Sequence, residues 1–232
     1  SAAESCIATN KFRYRCSATA SAERREMDKR AELREKVLKD LQQSQVLMVN
    51  GHFDYGNGYH GRVYLNPHQL FRTPSTIWRF AQDLIDLMPG ELVQQTEVVA
   101  GPVTGGALLA HTIAGLLDSR RSLTHPPCIF APFNYDASRA FTLREFYRRE
   151  IRGKRVLLAD DVRNTGQTFA RCAELVKDAG STVVATVEIY DRCEAVTDIG
   201  VPNIALAEYQ AVENFKAGEC PLCKTGIPIT RF

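Results

Sequence analysis

Two neighbouring carboxylates, Asp160 and Asp161, follow the apolar run Val156-Leu157-Leu158-Ala159 and precede Val162-Arg163-Asn164-Thr165-Gly166-Gln167-Thr168. Adjacent carboxylates accept charge-assisted hydrogen bonds from the two hydroxyls of a cis-diol. Main-chain amides of Asn164, Thr165, Gly166, Gln167 and Thr168, at the mouth of a helix, form a concavity for a phosphate monoester. The hydroxyls of Thr165 and Thr168 add donors. A phosphorylated sugar satisfies both halves of the run at once. A nucleoside triphosphate loop of the P-loop kind does not fit, because Gln167 stands where the lysine after Gly166 is required and the first loop glycine is missing. A second turn of this type, Ala100-Gly101-Pro102-Val103-Thr104-Gly105-Gly106, also lies between an apolar run and a helical one.

Such groups act only if a scaffold holds them at one place. The chain has 232 residues, with 29 Lys and Arg against 27 Asp and Glu, so a general electrostatic footprint for nucleic acid is not expected. No apolar run reaches the ~20 residues that span a bilayer, and no membrane association is expected. From Asp28 to Gln43, Leu33, Val37, Leu38 and Leu41 recur at helical spacing. Val46 to Leu65 reads as short strands with turns. Thr73-Pro74 opens a helix to about Met88. Strands are then expected at Glu97–Ala100, Cys128–Ala131, Val156–Ala159 and Thr182–Ile189, with helices at Gly105–Leu117 and Gln167–Ala179, the latter closed by Gly180. This alternation predicts an α/β fold with a central parallel sheet and helices on both faces. In such sheets ligands bind beyond the carboxyl ends of the strands, where Asp160 and Asp161 stand.

The thirteen-residue run resembles the signature of the type I phosphoribosyltransferases. That resemblance implies that Asp160 and Asp161 hold the ribose hydroxyls of phosphoribosyl diphosphate and that Asn164 to Thr168 surround its 5′-phosphate. It implies that Gly101, Pro102, Val103, Thr104 and Gly105 touch the diphosphate. Asp191-Arg192-Cys193-Glu194 is similar to the Asp-Arg-x-Glu of the orotate branch, where the arginine faces the orotate carboxylate, a group suited to a guanidinium. Gly51-His52-Phe53 and Gly58-Tyr59-His60-Gly61 through Tyr64-Leu65 resemble the amino-terminal hood of those enzymes and bring Phe53 to the substrate. The fold so implied has a core at about 67–207 and a small hood from about 27–66 and 208–232, making 27–232 one domain behind an extension at 1–26. The implied reaction is Mg²⁺-dependent transfer of a phosphoribosyl group to orotate, giving orotidine 5′-phosphate and diphosphate. Mg²⁺ would sit near Asp160 and Asp161 through water, with no direct protein ligand. Family habit further implies a homodimer, and the cysteine usage points to a cytoplasmic location.

Departures from the family pattern leave alternatives. Its Lys-rich flexible loop is replaced by Tyr135 to Arg149, which has no lysine; either Arg139 and Arg144, with Arg148 and Arg149, remain as cations to neutralise the leaving diphosphate, or the stretch is a solvated basic hairpin. Asn164 replaces the aspartate that purine-salvage relatives use as a base, which disfavours a purine. Another nucleobase as acceptor, or a nucleotide-sensing regulator on the same fold, are the other readings. Gly56-Asn57-Gly58-Tyr59-His60-Gly61 matches GxGxxG, but a strand-like stretch follows it rather than a helix, so a dinucleotide is not expected. Seven scattered cysteines do not make a disulfide scaffold and suit a reducing compartment. The 1–26 stretch lacks the apolar core of a secretory signal, and Glu4, Glu23 and Glu26 interrupt a transit-peptide pattern. Cys220-Pro221-Leu222-Cys223 is either half of a zinc site, completed by His52, His60 or another cysteine, or a turn of buried thiols; the second reading is preferred.

Overall fold

Hydrophobic alternation decides how the chain layers. The computed structural model describes residues 24, 27–55, 58–122, 124–194, 197–210 and 214–231, so nearly all of the 1–26 extension lies outside it. Helix α1 (27–43) is followed by β1 (Leu47–Met48), β2 (Phe53–Asp54), β3 (Tyr59–Gly61) and β4 (Tyr64–Leu65). Helices α2 (Pro67–Phe71), α3 (Pro74–Leu87) and α4 (Gly90–Gln95) lead into β5 (Val98–Pro102) and α5 (Gly105–Arg120). Then come β6 (Ile129–Tyr135), β7 (Phe141–Thr142), α6 (Glu145–Ile151), β8 (Arg155–Arg163), α7 (Gln167–Asp178), β9 (Thr182–Asp191) and β10 (Asn203–Glu208). The tail adds β11 (Asn214–Lys216) and α8 (Pro221–Lys224).

The main sheet has six strands in the order β10-β9-β8-β5-β6-β7, parallel throughout except for β7. In β8, Leu157 and Ala159 join a core with α3 and α5, whereas Val156 and Leu158 join a second core with α6 and α7. β5 alternates likewise, Val99 on the first side and Val98 and Ala100 on the second. Helices therefore cover both faces, as expected. In α3, Ile77, Phe80, Ala81, Leu84 and Ile85 form a buried stripe at helical spacing that packs on α5. Among the described residues no helix is long and apolar enough to cross a membrane.

The strand order reverses next to β5: the chain steps to β6 on one side, and β8, β9 and β10 build outward on the other. Helices α5 and α7, which follow β5 and β8, pack on opposite faces. The connections leaving these neighbouring strands thus diverge and open a crevice at their carboxyl ends.

Several expectations need correction. β8 does not stop at Ala159; it pairs with β9 through Arg163↔Asp191, so both aspartates are part of a strand. Backbone pairing carries the ladder on where side-chain hydropathy has ended. The Tyr135 to Arg149 stretch is not a free loop either, since it ends β6, forms β7 and enters α6. β10 and α4 were not anticipated. Tyr59–Gly61 and Tyr64–Leu65 are strands, consistent with rejecting a dinucleotide loop. They belong to two small sheets, β1 with β4, and β11-β3-β2. The Cys220–Cys223 turn is not one of buried thiols: Cys220 is buried, Cys223 is exposed, and both sulfurs face His52.

Candidate active site

Asp160 and Asp161 are successive residues of β8, and their carboxyls lie close enough to interact with each other. Asp161 lines a cavity of about 370 Å³ at the carboxyl end of β8. Its Oδ1 accepts the amide of Val162 at 2.9 Å, which fixes the carboxylate's orientation. Asp160 is 7% exposed, and its Oδ1 accepts the Asp161 amide at 2.9 Å. Burial first, and then the negative charge of Asp161, holds the Asp160 carboxyl well above the usual carboxylate range. Asp161 lines the cavity, and Asp160, buried next to it, is not among the lining residues.

The glycine turn explains why Asp160 is covered. A Cβ on Gly105 would stand 2.3 Å from Asp161 Oδ2, and one on Gly106 would stand 2.8 Å from Asp160 Oδ1. A Cβ on Gly101 would meet the Gly106 carbonyl oxygen at 2.3 Å. Only residues without side chains let the β5–α5 connection lie directly on the two aspartates. The Val103–Thr104 peptide in this turn is cis. Gly101 through Gly105 and Asp160–Asp161 are thus brought together, although they are far apart in sequence.

On the other side of Asp161 the chain turns into α7. Gly166 takes φ +78° at the N-cap, a left-handed conformation that favours glycine, and no side chain caps the helix. The first-turn amides of a helix have no intrahelical partners, so this end offers donors and a positive dipole to an anion. Asn164 lines the cavity with Asp161; Asn164, Thr165 and Gln167 are exposed, and Thr168 is half-buried.

The far wall combines one cation and aromatic rings. Arg192 lines the same cavity, half-buried and paired with Glu194 at 2.9 Å. Asp191, the last residue of β9, accepts the Cys193 amide at 2.8 Å and pairs with Arg163 at 3.1 Å, which sets the turn that aims Arg192. Tyr55, Tyr64 and Tyr190 supply the flat walls. The Tyr55 hydroxyl donates to the Val63 carbonyl at 2.7 Å, and the Tyr190 hydroxyl to the Tyr209 carbonyl at 2.9 Å, so their rings are held. Phe53 does not line this cavity; it is buried and packs against Tyr64 at 5.8 Å between ring centroids. The tyrosines carried no separate sequence signal beyond lying in the short-strand region or ending a strand.

Arg139 and Arg144 lie elsewhere. Arg139, at φ +63°, lines a different cavity between the β6–β7 hairpin and α7, and Arg144 is an exposed residue before α6. Behind Asp160, its register partner Glu188 is fully buried, and Glu188 Oε1 accepts from Asn203 Nδ2 at 2.7 Å. Burial pushes the Glu188 carboxyl up to about 8.

Comparison with known proteins places the fold and the family. The family model described as a phosphoribosyl transferase domain matches residues 76–200. An orotate phosphoribosyltransferase of Caldanaerobacter subterraneus is 31% identical over 198 residues, covering 85% of this chain and 96% of that one. One from Erythrobacter litoralis is 32% identical over 197 residues, covering 85% and 95%. The crystal structure of an orotate phosphoribosyltransferase from Aeropyrum pernix superposes with a TM-score of 0.58 at 23% identity, covering 73% of this chain and 92% of that one. That of an adenine phosphoribosyl transferase from Trypanosoma brucei does so with a TM-score of 0.53 at 18% identity, covering 82% and 85%. The fold is common to both, so it does not choose the base.

Proposed function

The chain belongs to the phosphoribosyl transferase family, and from that premise we propose that it transfers the phosphoribosyl group of phosphoribosyl diphosphate to orotate, yielding orotidine 5′-phosphate and diphosphate. The observation that carries the choice of orotate is Arg192, a guanidinium in the same cavity as Asp161 and Asn164. A planar carboxylated base fits between tyrosine rings with its carboxylate on that guanidinium. The orotate phosphoribosyltransferases similar over most of the chain support the same choice.

In this reading Asp161 holds the ribose diol, and the uncapped start of α7, from Asn164 to Thr168, holds the 5′-phosphate. Gly101 to Gly105 face the diphosphate with their main chain. The bond from the anomeric carbon to the diphosphate oxygen breaks, and a bond to the ring nitrogen of the base forms. Positive charge builds on the sugar between them, and the fixed Asp161 carboxylate stabilises it without reorganising. Holding both reactants across one crevice removes most of the entropic barrier. The Asp161 carboxylate at this rim suits Mg²⁺, a hard ion that takes oxygen ligands and keeps several waters. Asp161 would hold it through water, and the ion when bound supplies charge to the leaving diphosphate.

Arg139 and Arg144 act, in our reading, on the site of a second copy in a homodimer. Their position outside the Asp161 cavity of their own chain supports this. All five cysteines among the described residues are free thiols, which fits a cytoplasmic enzyme. The test is to supply phosphoribosyl diphosphate, Mg²⁺ and orotate, uracil, adenine or hypoxanthine in turn and to measure diphosphate. Release with orotate alone is expected; release only with another base would reassign the acceptor, and tight binding without release would make this a sensor.

A further inference from the structure

The small sheets gather four metal-ligating side chains that the phosphoribosyl chemistry does not use. In the β2–β3 hairpin Asp54 lies opposite His60, and His52 is two residues before Asp54, so the three share one face. The tail reaches that face from the other end of the chain. Cys220 precedes α8 and Cys223 lies in its single turn, a spacing that turns both thiols the same way. One donor atom from each of His52, His60, Cys220 and Cys223 lies within 4.8 Å of the others.

We propose that these four residues form a tetrahedral Zn²⁺ site that clips the carboxy-terminal tail to the amino-terminal hairpin. Four of the six donor separations match a filled coordination shell, and the other two are within 4.8 Å. With Zn–N about 2.05 Å and Zn–S about 2.3 Å, tetrahedral geometry puts two nitrogens about 3.4 Å apart and a nitrogen and a sulfur about 3.6 Å apart. His52 Nε2 is 3.4 Å from His60 Nδ1 and 3.6 Å from each of the sulfurs of Cys220 and Cys223. Cys223 Sγ is 3.4 Å from His60 Nδ1.

The outer contacts select the ligating atoms. His52 Nδ1 is 2.8 Å from the Ile227 carbonyl oxygen, to which it can only donate, leaving Nε2 bare for the metal. His60 Nε2 faces Asp54 Oδ1 at 4.0 Å, leaving Nδ1. Ligating histidines use such partners on their second nitrogen to fix tautomer and ring orientation. Two sulfurs and two nitrogens with no open position suit zinc and a structural role rather than Mg²⁺ or catalysis. Three of the ligands are buried, and exposed Cys223 gives the ion its way in. Binding expels the two thiol protons to solvent.

The experiment is zinc analysis of the full chain, expressed with added zinc and exchanged into metal-free buffer, with no substrate present; its outcome is independent of the acceptor base. About one zinc per chain is expected, falling below about a tenth in Cys220→Ser/Cys223→Ser and unchanged in Cys193→Ser. Cobalt exchange of the unmodified chain should give the strong visible bands of tetrahedral Co²⁺ with thiolate charge transfer, a readout that needs no variant to fold. Zinc below a tenth of an equivalent, an octahedral cobalt spectrum, or a Cys220–Cys223 disulfide in the purified chain would overturn the site.

Discussion

Arg192 and Asp161 face one cavity with opposite charges, and in the proposed reaction the first binds the base while the second serves the sugar. A guanidinium on a carboxylate contributes about 1.5–3 kcal/mol through charge-assisted hydrogen bonds. Arg192→Ala is therefore expected to raise the KM for orotate about 10- to 100-fold. The KM for phosphoribosyl diphosphate should hardly change. Steady-state kinetics in both substrates checks this, and equal losses for the two would show that Arg192 acts on something other than the base. The glycine turn belongs to this scale as well. Gly105 has no room for a Cβ because Asp161 Oδ2 occupies that space, so its identity follows from the carboxylate it covers.

At the scale of elements, β8, β9 and β10 carry a buried polar row behind the site. Asn203 links Thr186 at 2.5 Å and Glu188 at 2.7 Å, and Asp191 pairs with Arg163. Glu188 faces Asp160, Asp191 and Glu208 as like charges and Arg163 as its opposite. Its carboxyl, pushed by burial from 4.5 to about 8, keeps in the folded chain a proton that the unfolded chain has already lost. Stability from this group is then fullest below about pH 4.5 and declines as pH rises towards about 8, by at most about 1.4 kcal/mol per unit. Glu188→Gln should flatten that decline, leaving the part due to Asp160, and be the more stable protein at pH 8. Urea unfolding across pH 5–9 measures it; parallel curves for the two proteins would contradict the assignment.

The same elements show what could be read from sequence. Val156 to Ala159 announces a buried strand because both faces are apolar, Val183 to Ile189 does so through its β-branched run despite Thr186 and Glu188, and the Thr73-Pro74 and Gly180 signals bracket helices correctly. The ends of β8 and β9 were not legible, because polar residues there stay in strands through pairing with each other. The run from Asp160 to Thr168 could be read as one site, since its chemistry is contiguous. Tyr55, Tyr64 and Tyr190 could not, because tertiary packing alone brings them to Asp161. For Cys220-Pro221-Leu222-Cys223, the residue types named His52 and His60 as candidate partners, but nothing local chose both of them over another cysteine or over a turn of buried thiols.

For the whole molecule, the tail and the amino-terminal hairpin are joined in several ways. Thr230 bridges Phe53, Asp54 donates its amide to Thr230, and Arg231 pairs with Asp54 at 3.1 Å. The hairpin so held continues into Tyr55, a wall of the cavity, which connects the ends of the chain to the fit of the base. The dimer reading makes a sharper prediction. Asp161→Asn and Arg139→Ala/Arg144→Ala should each be nearly inactive alone. Coexpressed, they should recover about a quarter of normal activity, because half the dimers are hybrids with one intact site. No recovery from hybrid dimers would mean that the arginines serve their own chain.

The central claim is that a phosphorylated ribose sits between Asp161 and the start of α7. A crystal structure with ribose 5-phosphate tests it most directly. The ribose hydroxyls are expected on the Asp161 carboxylate and the phosphate on the amides between Asn164 and Thr168; a phosphate bound elsewhere, with those amides turned away from it, would rule this placement out.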